Sequence, residues 1–274
     1  MFSQMLSIPS GFTLFGLEIK FYGITSALAY ILGVLITCLL AKRRGFKADD
    51  ILTLALYVIP LAIIGARVYY VLFSLDKYTN FVDVFKIWEG GLAFYGGLIG
   101  GAIGVGLYCI IHKKNIFALF DLIAVAMVFA QGVGRWGNFF NQEAFGYEVT
   151  NPDWQWFPFA VYIENLGEWH LATFFYESLW DFATFAVLLT MLLKVNFKGP
   201  GVVGASYFVL YGIGRAWIEG LRTDSLYWGS LRVSQVLSII FIIFGLALII
   251  WYMIKHRRKK DVTDKIIEII KSDL

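Results

Sequence analysis

The chain has 274 residues, of which 59% are hydrophobic and 16% are charged, and its formal net charge is +3. Soluble proteins average about 45–50% apolar and about 25% charged residues. The composition therefore excludes a soluble globular protein, and the small net charge gives no indication of a nucleic-acid partner.

Seven apolar stretches are long enough to cross a bilayer, since a transmembrane helix needs about 20 mostly apolar residues. They are predicted at residues 22–41, 51–73, 92–112, 117–136, 171–194, 202–221 and 233–254. We therefore predict an all-α integral membrane protein, with a membrane domain over residues 1–260 and a cytoplasmic tail over 261–274. The tail has apolar pairs at helical spacing, so a surface helix and a frayed terminus both remain open.

Basic residues follow the first, third, fifth and seventh of these stretches and are absent from the longest loop, residues 137–170. They are Lys42, Arg43, Arg44, Lys47, Lys113, Lys114, Lys194, Lys198, Lys255, Arg257, Arg258, Lys259 and Lys260. Because cytoplasmic loops carry the excess of Lys and Arg, we predict an external N-terminus and a cytoplasmic C-terminus. The loop 137–170 is then expected to form a small extracytoplasmic cap.

Three arginines, Arg67, Arg135 and Arg215, lie inside apolar stretches. A guanidinium stays protonated in a protein, and at bilayer depth it costs at least a few kcal/mol. In the predicted orientation, Arg67 and Arg215 lie roughly 9 Å below the outer surface, at a rise of about 1.5 Å per residue. Arg135 lies at the outer end of its helix.

The same outer layer is predicted to contain Tyr22, Tyr95 and Glu177. Three arginines with few evident acidic partners indicate excess positive charge, and thus a bound anion. At this depth a phospholipid headgroup fits best. The alternative is a structural network in which an arginine pairs with Glu177 or Glu219 to hold helices together.

Glycines are frequent near these positions. In GGLIGG (96–101) their spacing favours close packing of two helices. Beside the arginines we expect glycines to make room for a phosphate instead. The latter glycines are Gly132, Gly134, Gly137, Gly212 and Gly214.

Residues 132–146, GVGRWGNFFNQEAFG, resemble the central signature GRxGNFxNxExxG of the prolipoprotein diacylglyceryl transferases, a family of bacterial membrane enzymes. Further segments are similar to other family motifs in the same order along the chain. They are FYG (21–23), GARVYYVLF (65–73), WEGGLAFYGGLIGG (88–101), YESLWD (176–181), YGIGRAWIEGLRTDS (211–225) and RVSQVLS (232–238).

The resemblance implies transfer of the diacylglyceryl group of phosphatidylglycerol to the lipobox cysteine of a prolipoprotein signal peptide. A thioether forms and glycerol phosphate leaves, which is the first step of bacterial lipoprotein maturation. It also implies a site that faces the outer leaflet of the bacterial cell (plasma or inner) membrane and uses no cofactor or metal. A transporter for an organic anion and a non-catalytic lipid-binding scaffold are the rival functions.

Carried onto this chain, the family motifs give Arg135 and Arg215 as the residues that handle the phosphate. Which of them grips it and which stabilises the departing charge is left open. Tyr95 is expected to position substrate, because a tyrosine with a pKa near 10 is a poor base at neutral pH. The expected substrate-binding residues are Tyr22, Gly96, Gly97, Asn138, Asn141, Glu143, Gly146, Glu177, Glu219 and Arg222.

Two positions depart from the family pattern. Tyr95 stands where most members have His, and His170 is followed by Leu171 and Ala172 where the family usually has Pro and Ser. We therefore expect His170 to be a loop-end residue without a role in the reaction. We expect Arg67 to pair with Glu177 and to hold helices in place.

Overall fold

The computed structural model describes residues 9–75, 78, 80–87, 90–194 and 199–272, and these residues are mostly helical. The described part of the chain contains seven α-helices, which confirms the predicted all-α fold class. They are α1 (Phe21–Leu40), α2 (Ala48–Leu72), α3 (Phe94–Ile111), α4 (Ile116–Asn141), α5 (Thr173–Lys194), α6 (Val202–Leu221) and α7 (Val233–Ser272).

Five helical segments within the described residues are long and apolar enough to cross a membrane. They are Phe21–Arg44, Ala48–Leu72, Ile116–Asn141, Thr173–Lys194 and Val233–Lys255. Helix α3 is apolar but shorter, and α6 carries Arg215 and Glu219. The membrane class is thus confirmed, while seven spans and an external N-terminus stay predictions.

Three short antiparallel hairpins, which hydropathy did not predict, accompany the helices. They pair β1 (Gly11–Leu14) with β2 (Leu17–Lys20), β3 (Ala160–Ile163) with β4 (Glu168–Leu171), and β5 (Tyr227–Trp228) with β6 (Leu231–Arg232). Strands β3 and β4 lie in the predicted cap. Val161 and Ile163 of that hairpin pack with Phe174, Trp136 and Phe139 in one hydrophobic cluster.

Two helices extend at their C-terminal ends well beyond the predicted bounds. Helix α4 continues to Asn141, five residues beyond the predicted end, so the connecting segment begins at residue 142. Helix α7 continues through residue 272, which makes the predicted tail part of the same helix as far as the structure describes it.

The chain divides into two compact units, residues 34–122 and residues 1–33 with 123–274. In the first unit, glycines bring α2 and α3 together. A Cβ on Gly96 would lie 2.3 Å from the carbonyl oxygen of Gly65, and one on Gly100 would lie 2.0 Å from that of Leu61. Both distances are too short for any side chain, which confirms the packing interpretation of GGLIGG.

In the second unit, α5, α6 and α7 pack in chain order. Trp180 of α5 lies against Gly214 of α6 and donates a hydrogen bond from its indole nitrogen to the carbonyl of Leu210 at 2.9 Å. Gly212 faces the backbone of α7 at Ser238. These contacts fix the helix that carries Arg215 between its two neighbours.

Candidate active site

The carboxylate of Glu177 on α5 lies between two guanidinium groups, those of Arg135 on α4 and Arg215 on α6. Arg135 donates from Nη2 to Oε1 at 2.5 Å, and Arg215 donates from Nη1 to Oε2 at 3.0 Å and to Oε1 at 3.2 Å. The Glu177 side chain is 4% exposed, against 20% for Arg135 and 15% for Arg215. Three helices thus meet in one buried ion-pair layer.

Arg215 has further partners that fix its guanidinium. Its Nη2 lies 2.6 Å from Oε2 of Glu219, one turn along the same helix, and 3.5 Å from the hydroxyl of Ser234 on α7. The contact with Glu219 has the distance of an ion pair but not the alignment of a hydrogen bond. Arg135, in contrast, has Glu177 as its one hydrogen-bond partner among the described residues, so its Nε and Nη1 remain available to a ligand.

The predicted excess of positive charge is therefore wrong for this layer. Arg135 and Arg215 are balanced by Glu177 and Glu219, and both carboxylates are almost completely buried. The arginines are paired as in the alternative interpretation. Glu219 lies one turn from Arg215 on α6, and Glu177 faces both arginines because of the rotation of α5 about its axis, which hydropathy does not specify.

Arg67 belongs to a different arrangement. Its guanidinium donates five hydrogen bonds of 2.7–3.3 Å to backbone carbonyls of the segment before α3. The acceptors are Asp83, Val84, Lys86, Gly90 and Gly91. The predicted pairing with Glu177 is wrong, because Arg67 organises a loop and Glu177 is engaged by Arg135 and Arg215.

Three of the predicted substrate-binding residues meet at the end of α4. Asn138 donates from Nδ2 to Oε1 of Glu143 at 2.8 Å, and Asn141 donates to the same oxygen at 3.4 Å. Asn138 follows Arg135 by three residues, so the two lie on one face of the helix. The structure thus brings this part of the signature together beside the arginine layer.

Tyr22 on α1 and Gly137 on α4 are in contact, since a Cβ on Gly137 would lie 2.9 Å from the tyrosine ring. Gly132, Gly212 and Gly214 also face neighbouring side chains or backbone within 3.1 Å of such a Cβ. The prediction that these glycines leave room for a phosphate is therefore wrong. Gly134 has open space around it instead.

Gly146 lies where the segment after α4 crosses the end of α6. A Cβ there would lie 2.8 Å from the Leu221 carbonyl, from Leu171 and from Thr173. The Gly146 carbonyl also lies 2.8 Å from Nδ1 of His170, so a protonated Nδ1 donates to it. Gly146 is thus a position of close packing, and its substrate role stays a prediction. His170 is a buried residue of strand β4 rather than a loop end.

Arg222, at the end of α6, forms two parallel hydrogen bonds with Asp224, at 2.8 and 2.7 Å. Burial opposes ionisation of this aspartate, but the hydrogen bond and charge of Arg222 outweigh it and lower the pKa of Asp224 below its usual value. The pair is therefore ionised at neutral pH.

Tyr95, Gly96 and Gly97 lie in the first turn of α3, in the unit of residues 34–122. Tyr95 is 46% exposed, whereas Gly96 is buried and packs against Gly65. Of these three, only Tyr95 and Gly97 are left with surface that a substrate could contact.

Several polar residues near the arginine layer were not predicted as site residues from the sequence. Asp181 is buried one turn along α5 from Glu177. Gln131 of α4 and Tyr207 of α6 exchange hydrogen bonds of 3.0 and 3.2 Å. Arg232 donates to the hydroxyl of Tyr147 and to the backbone carbonyl of Glu219. Asp181 and Gln131 each lie four residues from a predicted site residue, and that spacing is the signal that could have found them.

Comparison with known proteins identifies related chains along almost the whole length. The family model described as prolipoprotein diacylglyceryl transferase matches residues 9–251. A phosphatidylglycerol–prolipoprotein diacylglyceryl transferase of Clostridioides difficile is 46% identical over 236 residues, which cover 86% of this chain and 91% of the relative. Similar enzymes of Clostridium perfringens and Listeria innocua are 41% and 37% identical, and cover 92% and 96% of this chain and 97% and 96% of the relatives.

Proposed function

The chain belongs to the prolipoprotein diacylglyceryl transferase family, and from that membership we propose that it lipidates prolipoproteins in a bacterial cell membrane. It transfers the diacylglyceryl group of phosphatidylglycerol to a prolipoprotein, as the names of its relatives state for them. The acceptor is the thiol of the lipobox cysteine in the signal peptide, and the products are a thioether and glycerol phosphate.

The observation that carries this proposal is the buried layer formed by Arg135, Glu177 and Arg215. In the reaction, sulfur displaces a phosphate from a glyceryl carbon, so negative charge collects on the departing phosphate. Preorganised cations in a dry site stabilise such charge far better than water does. Arginine suits this task because its planar fork matches phosphate oxygens two at a time.

The geometry supports different roles for the two arginines. Arg215 is held by Glu177, Glu219 and Ser234, so it acts as a fixed charge beside the leaving group. Arg135 keeps Nε and Nη1 for a ligand and is the more exposed of the two, so it grips the phosphate of the incoming lipid. The Glu177 carboxylate holds both guanidiniums in one layer.

The thiol also has to lose its proton, because the thiolate is the nucleophile and a free cysteine has a pKa near 8.5. The positive charges of the Arg135 and Arg215 guanidiniums favour the thiolate over the thiol when the cysteine approaches. Tyr95 positions substrate by hydrogen bonding. Asn138, Asn141, Glu143 and Arg222 contact the glycerol headgroup or the peptide, together with Tyr22.

We place this site on the outer side of the membrane, since the segment between α4 and α5 carries no Lys or Arg. Cytoplasmic segments of a membrane protein are enriched in these residues. A lipid headgroup in the outer leaflet and a signal peptide that has crossed the membrane both reach the arginine layer from that side.

The proposal is tested by incubating the purified protein with phosphatidylglycerol and a lipobox peptide. The mass of the peptide is then measured by mass spectrometry. We expect a mass increase of one diacylglyceryl group on the cysteine, stable to the hydroxylamine treatment that cleaves thioesters. A peptide with Ser in place of Cys is the control and should stay unmodified. Absence of a thioether product in a folded, lipid-containing preparation contradicts the proposal.

A further inference from the structure

Asp181 is a buried carboxyl group for which the transfer reaction as described above has no use. Its side chain is 1% exposed, and neither carboxylate oxygen has a hydrogen-bond partner among the described residues. It follows Glu177 by four residues on α5, so the two carboxyl groups lie on the same face of the helix, one turn apart.

Charged and titratable groups from two further helices surround this carboxyl. Asp181 interacts electrostatically with Glu177 on its own helix, with Arg135 on α4 and with Arg215 on α6. Two tyrosines of α6, Tyr207 and Tyr211, also interact electrostatically with Asp181. Asp181 is therefore electrically part of the arginine layer, although both guanidiniums direct their hydrogen bonds to Glu177.

A carboxylate in this position is unfavourable. An ionised carboxyl removed from water needs hydrogen bonds or a direct counter-ion, and Glu177 adds a second negative charge one turn away. Where two carboxyl groups share one site, ionisation of the first disfavours ionisation of the second. Glu177 and Glu219 are paired with the two arginines, so a proton on Asp181 leaves the layer neutral.

The proposed reaction requires transfer of one proton. The phosphodiester of the lipid enters with one negative charge, and the phosphate would leave with two once the carbon–oxygen bond breaks. Meanwhile the S–H bond of the cysteine breaks and a sulfur–carbon bond forms, so one proton has to move. A neutral layer with a stored proton accommodates both events without building up charge in a dry site.

We propose that Asp181 is the proton-storing residue of this site and acts through Glu177. When the carbon–oxygen bond breaks, its electron pair goes to the phosphate oxygen. The proton of Asp181 reaches that oxygen after the Asp181 side chain turns toward Glu177, one helical turn away on α5. Glycerol phosphate then leaves as a monoanion, and the thiol proton returns to Asp181 by the same route. The net result is transfer of the thiol proton to the departing phosphate.

This inference rests on the proposed function, and Asp181→Asn tests it. Asparagine has nearly the same shape but stores no proton. We expect kcat to fall by about a hundredfold, the usual scale of positioned proton transfer, with an unchanged KM for phosphatidylglycerol. The wild-type rate should also decline at alkaline pH, where Asp181 loses its proton, and Asp181→Asn should lack that decline, whereas Asp181→Glu should restore it.

Ser178→Ala is the matched control. Ser178 is buried on the same helix and donates to the backbone carbonyl of Gly132 at 2.8 Å, so its loss perturbs the contact between α4 and α5 without removing a titratable group. We expect its pH profile to match that of the wild-type protein. An equal change of pH profile in this control would overturn the assignment to Asp181.

Infrared spectroscopy of the resting protein tests the stored proton without any variant. We expect the carbonyl-stretching band of a protonated carboxylic acid, and we expect this band to shift when the aspartates are isotope-labelled. A spectrum without such a shifted band overturns the proposal. A wild-type protein that forms no thioether overturns the proposed function and the relay together. Thioether formation with an Asp181→Asn variant of unchanged kcat and pH profile overturns the relay alone.

Discussion

Glu177 determines the geometry of both arginines at the candidate site. Breaking a buried ion pair by removing one partner typically costs about 3–5 kcal/mol, because the other charge is left uncompensated. Here one carboxylate serves two guanidiniums from different helices, and its own side chain is 4% exposed. Glu177 therefore holds α4 and α6 to α5, and in the proposed reaction it orients Arg135 toward the phosphate.

Tyr95→Phe tests whether Tyr95 only positions substrate. Loss of one hydrogen bond of about 0.5–1.5 kcal/mol should lower kcat/KM by about twofold to tenfold and leave the pH profile in place. The matched control is Tyr30→Phe, since Tyr30 is an exposed tyrosine of α1. A loss of more than a few hundredfold, with a profile shifted toward alkaline pH, would instead make Tyr95 the base of the reaction.

At this scale the sequence located the residues but not their pairing. Arg67, Arg135 and Arg215 were recognisable because each is costly in an apolar stretch. Their partners were not, since Arg67 is satisfied by five backbone carbonyls of a loop that has no periodicity to interpret. Arg135 and Arg215 share Glu177 because of helix rotations, which depend on packing of the whole unit.

Among the elements, α2 and α3 pack closely because glycines leave no side chain between their backbones. Gly100→Ala would place a methyl group 2.0 Å from the Leu61 carbonyl, so the two helices must separate. Overpacking of this kind typically costs about 1–3 kcal/mol. We expect a lower midpoint of thermal unfolding in detergent.

Gly106→Ala is the control for this prediction, because nothing lies within 4 Å of the added Cβ on the same helix. Alanine has the higher helix propensity, by about 1 kcal/mol in water, so this variant should be as stable as the wild-type protein or more stable. Equal destabilisation by both changes would contradict close packing at Gly100.

Hydropathy located the helices well because their apolar stretches are long, and α6 begins and ends at the predicted residues 202 and 221. It missed the end of α4, where Asn138 and Asn141 are polar yet helical. It also missed the three hairpins of the described residues, whose strands have two to four residues each. Such short strands carry too few residues for an alternating pattern to be distinguished.

For the whole molecule, the charge distribution predicts which side of the membrane holds the site. Single cysteines at Asn151 and at Arg43, in a protein lacking Cys38 and Cys109, test this with a membrane-impermeant maleimide on intact spheroplasts. Both positions are exposed. We expect labelling at Asn151 and protection at Arg43, and the reverse pattern would place the arginine layer on the cytoplasmic side.

The function was accessible from sequence because the 132–146 segment carries so many family residues in order. The structure adds what individual residues of the family motifs contribute. Gly146 and Gly96 serve close packing, whereas Arg135, Glu177 and Arg215 form the charged layer. A motif lists these residues without separating those that build the protein from those that handle the lipid.

The measurement that tests the role of this layer most directly is thioether formation by Arg135→Lys. Lysine keeps the charge but loses the planar fork, and removal of a single donor from a site that stabilises developing charge typically costs about a hundredfold to a thousandfold in rate. We expect a loss of that size, with the exposed Arg43→Lys as an unaffected control. Near-wild-type turnover by Arg135→Lys would contradict the assignment of Arg135 as the residue that grips the phosphate.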